Sequence, residues 1–86
     1  MVNIPTKKKP TSKEIEEVMK WATWEKEESL FDWYYDSQET FYVLEGVVTV
    51  TWDTGEISFG KGDLVTFPAG LKCTWQVNKK IQALHV

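Results

Sequence analysis

The chain has 86 residues, a formal net charge of −3, 14% aromatic residues and a single Cys. That length makes one domain, which buries about 60–65% of the surface its unfolded chain exposes, so aromatic bulk, five Trp included, must carry a modest core. One Cys excludes an internal disulfide, and no apolar run reaches the ~18 residues of a membrane span. No sustained basic face offers itself to nucleic acid. With no apolar signal-peptide region at the N-terminus, these features lead us to expect a cytoplasmic domain.

Residues 1–10 read as a tail, with Lys7-Lys8-Lys9 between Pro5 and Pro10 as a solvated basic run. Residues 11–86 read as the domain. Thr11 and Glu14 form a capping box that predicts a helix over 12–20, with Ile15, Val18 and Met19 on one apolar stripe. Two turns of helix are too short to stand alone, so this one should pack on the outside of a sheet.

From Trp21 the hydrophobic period changes from 3.6 to 2. Strands are predicted over 21–27, with Trp24 facing the core, and over 30–35. In the second, Phe31, Trp33 and Tyr35 share a face opposite Asp32, Tyr34 and Asp36; burying the face without carboxylates costs less, so the aromatic trio should point inward. Further strands are predicted over 39–45 and 47–52, separated by Gly46, and over 56–59 after the Asp53-Thr54-Gly55 hairpin loop. The turn signals Gly62-Asp63 and Pro68-Ala69-Gly70 bracket a strand at 64–67. Strands over 71–77 and 81–86, separated by a loop at Asn78-Lys79-Lys80, complete about eight. Frequent turns between short strands make the fold all-β, a sandwich or barrel.

Two stretches carry a family resemblance. The spacing from Gly62 through Pro68 and Gly70 to Cys73, G-x5-P-x-G-x2-C, resembles the second cupin motif, G-x5-P-x-G-x2-H-x3-N, with Cys73 in the histidine position and Val77 where Asn stands. The run from Glu39 to Gly46 resembles the second half of the first motif, H-x-H-x3,4-E-x6-G. The run Phe31-Asp32-Trp33-Tyr34-Tyr35, taken with the Gly-Asp-Leu-Val-Thr-Phe-Pro stretch, is most similar to the very small cupins grouped with ureidoglycine aminohydrolase. The resemblance implies a cupin jelly-roll barrel of two antiparallel sheets with one short N-terminal helix, and a homodimer.

Metal-binding cupins hold a divalent ion with two histidines and a glutamate from motif one and one histidine from motif two. Carried over, Glu39 matches the glutamate and Cys73 replaces a histidine. The remaining positions fall on Trp33 and Tyr35, or on Asp32 and Tyr34 in the other register; strand alternation favours the first pair. No histidine stands at a ligand position. Glu39 and Cys73 could ligate Mn, Zn or Fe, but two ligands do not make a site; Tyr35 could add a phenolate or, in the other register, Asp32 a carboxylate.

The residues therefore leave alternatives. Glu39 in an apolar barrel mouth would suit proton transfer, or would order the core by hydrogen bonding a Tyr or the Cys73 thiol. Cys73 is a nucleophile only with a base or positive charge nearby, and otherwise a small buried hydrophobe. Phe31, Trp33, Tyr35, Phe41, Phe67 and Trp75 could wall a pocket for a planar ligand or fill the barrel. His85, the sole His, could reach the barrel mouth from the last strand, although a lone His reads first as an ordinary surface or core residue. The expected function is binding of a small polar or planar metabolite, with Glu39 and Cys73 as candidate catalytic residues, Trp33, Tyr35, Phe41, Phe67 and Trp75 as candidate binding residues and no resident metal. A metal-dependent enzyme acting on a small ureido or amino compound is the alternative, and a purely structural barrel with a filled interior a third reading.

Overall fold

A computed structural model describes residues 4–86. Residues 1–3 of the expected tail lie outside them. The elements in chain order are β1 (Thr6–Lys8), α1 (Ser12–Val18), β2 (Ala22–Lys26), β3 (Ser29–Tyr34), β4 (Glu39–Trp52), β5 (Gly55–Gly60), β6 (Leu64–Phe67) and β7 (Lys72–His85). All strand pairings are antiparallel.

The frame is a ribbon of two 14-residue strands, β4 and β7, paired from Phe41 opposite His85 to Thr51 opposite Thr74. Its register shifts repeatedly between Val43 and Val48. Gly46 sits there at φ +106°, against the β7 backbone at Lys79–Ile81. This irregularity divides the ribbon. On one side of it, β6 and β1 extend the sheet from β4, and β2 extends it from the Ile81–His85 end of β7. On the other side, β5 pairs with the second half of β4 and β3 with the first half of β7. The result is the expected pair of antiparallel layers closed around one core.

Alternation fills that core. Phe41, Val43, Val48 and Val50 of β4 meet Cys73, Trp75, Val77, Ile81 and Ala83 of β7, with Tyr35, Phe59, Val65, Phe67 and Leu71 completing the cluster. Trp75 is its hub, with ring centroids of Trp24, Phe31, Phe41, Phe59 and Phe67 all 5.6–6.0 Å away. Full burial of such side chains is worth roughly 1.5–3 kcal/mol each or more, the largest favourable contribution open to a chain this short.

Several expectations change. Residues 39–45 and 47–52 are one bent strand, and Asn78-Lys79-Lys80 lies within β7. All three side chains are exposed, which gives the stretch the composition of a loop, but the strand continues through it. The Lys7-Lys8 pair belongs to β1, paired with β6, while its side chains stay solvated. Lys8 and Lys9 are held in ion pairs with Glu14 and Asp63. The capping box forms, with the Thr11 hydroxyl accepting from the Glu14 N–H and the Glu14 carboxylate accepting from the Thr11 N–H. The helix buries Val18 outside the inner core cluster, but Met19 is exposed, because the helix ends before that residue joins the stripe.

Candidate functional site

The inner faces of β2, β3, β4 and β7 do not meet at one end of the barrel, and a cavity of about 400 Å3 opens there. Period-two alternation decides what lines it. From β2 come Trp24 and Lys26; from β3 and the residue after it, Phe31, Trp33 and Tyr35; from β4, Glu39 and Phe41; from β7, Trp75 and His85. Asp32 stands at the rim.

Glu39 Oε2 lies 3.9 Å from His85 Nδ1, and the two side chains are 31% and 33% exposed. The His85 ring stacks on Phe41 at 5.6 Å, an orientation set by their pairing across β4 and β7. Below them, the buried Tyr35 hydroxyl accepts from Trp75 Nε1 at 3.1 Å, and the Tyr35 ring stacks on Phe67 at 4.8 Å. Burial, and then the neighbouring Cys73 and Glu39 groups, hold the phenol well above its ordinary range, so it remains a neutral O–H. Lys26 Nζ stands 5.1 Å from the centroid of the Phe31 ring.

Glu39 and Cys73 both face inward and both neighbour Tyr35, yet only Glu39 lines the mouth. Cys73 is buried opposite Trp33, its Sγ 3.7 Å from the Trp33 carbonyl oxygen. Burial, helped by the charge of Asp32, pushes this thiol up to about 11. A thiol so placed is protonated at neutral pH and makes a poor nucleophile.

Among the expected aromatic walls, Tyr35, Phe41 and Trp75 form the floor. Phe67 is fully buried and belongs to the core instead. Trp33 was expected inside, but it is 50% exposed. Its face of β3 is the inward one, as alternation requires; β3 is an edge strand at the mouth, so nothing covers the indole from above. Trp33 and Cys73 also border a wider cleft of about 720 Å3, formed with Asp32, Tyr34, Thr51, Trp52, Asp53, Lys72 and Thr74. That cleft is a surface depression whose charged residues, Asp32, Asp53 and Lys72, face solvent, and it lacks the Glu39–His85 pair.

His85 reaches the mouth, as its period-two spacing from Ile81 and Ala83 allows, although it was not counted among the candidate site residues. Lys26 was missed: it sits in a charged run that reads as an edge, and its period-two spacing from Trp24 turns it to the mouth over Phe31.

The donor set does not suit a metal. Among the described residues no three His, Cys, Asp or Glu side chains stand close enough to hold an ion together. Glu39 and His85, 3.9 Å apart, are the His and Glu donors that line the mouth together, two where a zinc site needs three or four.

A bent ribbon flanked by short strands, with its pocket at one open end, defines a cupin barrel. Residues 13–82 match the EutQ-like cupin domain model, and the chain belongs to that family. A DUF861 family protein from Thermotoga maritima is similar over 95% of this chain and 97% of its own, with 48% identity and a TM-score of 0.91. The Clostridium difficile EutQ protein is similar over 73% of this chain at 27% identity and a TM-score of 0.68, and only 50% of its own length is covered. The putative ethanolamine utilization protein Q of Salmonella typhimurium shares the fold at 21% identity, with a TM-score of 0.67 over 73% of this chain and 51% of its own. The chain has no match among curated proteins. No helix among the described residues is long and apolar enough to cross a membrane.

Proposed function

We propose that this cupin domain binds a small polar or planar metabolite in the mouth of its barrel. The observation that carries the reading is the Glu39–His85 pair, 3.9 Å apart, set into a cavity walled by Trp24, Phe31 and Trp33. Aromatic faces supply contact area, and the carboxylate and imidazole supply the few polar anchors that fix orientation. The Glu39 carboxylate accepts no hydrogen bond among the described residues, His85 Nδ1 standing 3.9 Å away, so its acceptor capacity is available to a ligand. The ureidoglycine aminohydrolase-like alternative calls for hydrolysis at a bound divalent ion, and the donor set gives it little support. The proposed homodimer finds support in the exposed Leu30 and Tyr34 on the outer face of edge strand β3, and the cytoplasm stays the proposed compartment.

The test is a titration of isotope-labelled protein with a panel of small ring compounds and amines, neutral and charged, followed by backbone amide shifts. At least one compound should move the signals of Trp24, Phe31, Glu39 and His85 together. Glu39→Gln keeps size and should leave folding intact while weakening that compound. A panel that leaves these four signals unmoved overturns the reading, and unchanged affinity in the variant removes Glu39 from the site.

A further inference from the structure

We infer that the ligand of the barrel mouth is an organic cation, an amine or alkylammonium group held between aromatic faces and the Glu39 carboxylate. The inference rests on the binding reading above and adds the charge of what is bound.

Three observations point to it. First, the mouth is lined by aromatic rings from several strands, Trp24, Phe31 and Trp33 around a floor of Tyr35, Phe41 and Trp75. An aromatic lining of this kind is what recognises a compact ammonium group. Second, the protein already places an ammonium on one of these faces. Lys26 Nζ stands 5.1 Å from the Phe31 centroid and has no ion-pair partner among the described residues. Lys80, nearby on the outside of the same sheet, is held by Glu25 and Glu27. The aromatic mouth therefore accepts a positive charge that could have gone elsewhere. Third, the fixed negative charge is free to pair. Glu39 has only the His85 ring near it, beyond hydrogen-bond distance, whereas Asp32 at the rim accepts from the Thr74 hydroxyl.

Lys26 then has a definite role: it is a resident cation that a ligand must displace or sit beside. This separates the proposal from its opposite, in which Lys26 and His85 receive an anion. Removing the ammonium should strengthen binding of a cation and weaken binding of an anion.

The experiment titrates the protein with tetramethylammonium, with tert-butyl alcohol as its neutral counterpart of similar shape, and with acetate, reading amide shifts of the mouth residues. Tetramethylammonium should bind about tenfold or more tighter than the alcohol, the scale that stacked aromatic faces and one carboxylate provide. Glu39→Gln should remove most of that preference without changing the alcohol, and Lys26→Met should tighten the cation severalfold. Equal binding of the cation and the alcohol overturns the charge assignment and leaves the binding reading standing. Acetate binding that disappears in Lys26→Met overturns it in favour of an anion. No binding of tetramethylammonium at millimolar concentration overturns it outright, and the wider panel then decides whether the mouth binds anything.

Discussion

Cys73 occupies the position where the family resemblance expects a metal-ligating histidine, and its surroundings have removed its chemistry. The side chain is 7% exposed, lies beneath Trp33 and has its ionisation pushed up to about 11 from an ordinary 9.0. Such a shift leaves on the order of a hundredfold less thiolate near neutral pH. Iodoacetamide should therefore alkylate the folded protein about a hundredfold more slowly than the urea-unfolded chain at pH 8, with the folded rate still climbing above pH 9. Equal rates would return Cys73 to the list of reactive groups. The folded state favours the protonated thiol, so its contribution to stability is whole below pH 9 and is lost as pH rises through 11. Glu39 was legible because its spacing to Gly46 is a motif. The partnership of His85 with Glu39 was not, because a single histidine has no partner visible in sequence, and only the β4–β7 pairing sets the two side by side.

Strands β4 and β7 show what local pattern can and cannot give. Their alternation was readable, as were the turns at Gly62-Asp63 and Pro68–Gly70, and these fixed the inward faces of Glu39, Phe41, Cys73 and Trp75. The continuity of the two strands was not readable. Gly46 looks like a break and Asn78-Lys79-Lys80 like a loop, whereas the ladder holding both together forms between residues far apart in the chain, from Thr51 with Thr74 to Phe41 with His85. Gly46 makes the bend possible. At φ +106°, an added Cβ would lie 2.7 Å from the Ile81 Cα and closer still to the Lys80 carbonyl oxygen, both backbone atoms that cannot step aside. Gly46→Ala should cost about 3 kcal/mol or more, combining backbone strain with the clash. Gly70 shares a positive φ of +87° but has open space around it, so Gly70→Ala should cost only about 1 kcal/mol. Urea unfolding of the two variants gives the comparison, and equal losses would mean that the ribbon can bend without close backbone approach.

Across the whole molecule, stability is concentrated in one aromatic cluster. A domain of this length has about 4–13 kcal/mol in hand. Trp75→Ala withdraws the ring against which Trp24, Phe31, Phe41, Phe59 and Phe67 all pack, and strands the Tyr35 hydroxyl it bonds. A loss of about 3–5 kcal/mol is expected, visible in equilibrium denaturation as a population near the edge of unfolding. A loss below about 1 kcal/mol would show that the core is held elsewhere. The same cluster explains why the composition was informative about class and silent about the pocket. Aromatic residues that fill a barrel and those that wall its mouth are identical in sequence: Phe67 and Trp33 carried the same expectation, yet Phe67 is core and Trp33 stands half exposed at the mouth. The pairing of β2, β3 and β4 with one strand also bears on how the chain is made. During synthesis β2 and β3 leave the ribosome well before residues 72–85 exist, so they wait without the neighbour to which the finished sheet hydrogen-bonds them. Until that strand emerges the nascent chain has hairpins but no barrel, and those waiting edges are where chaperones would be expected to act.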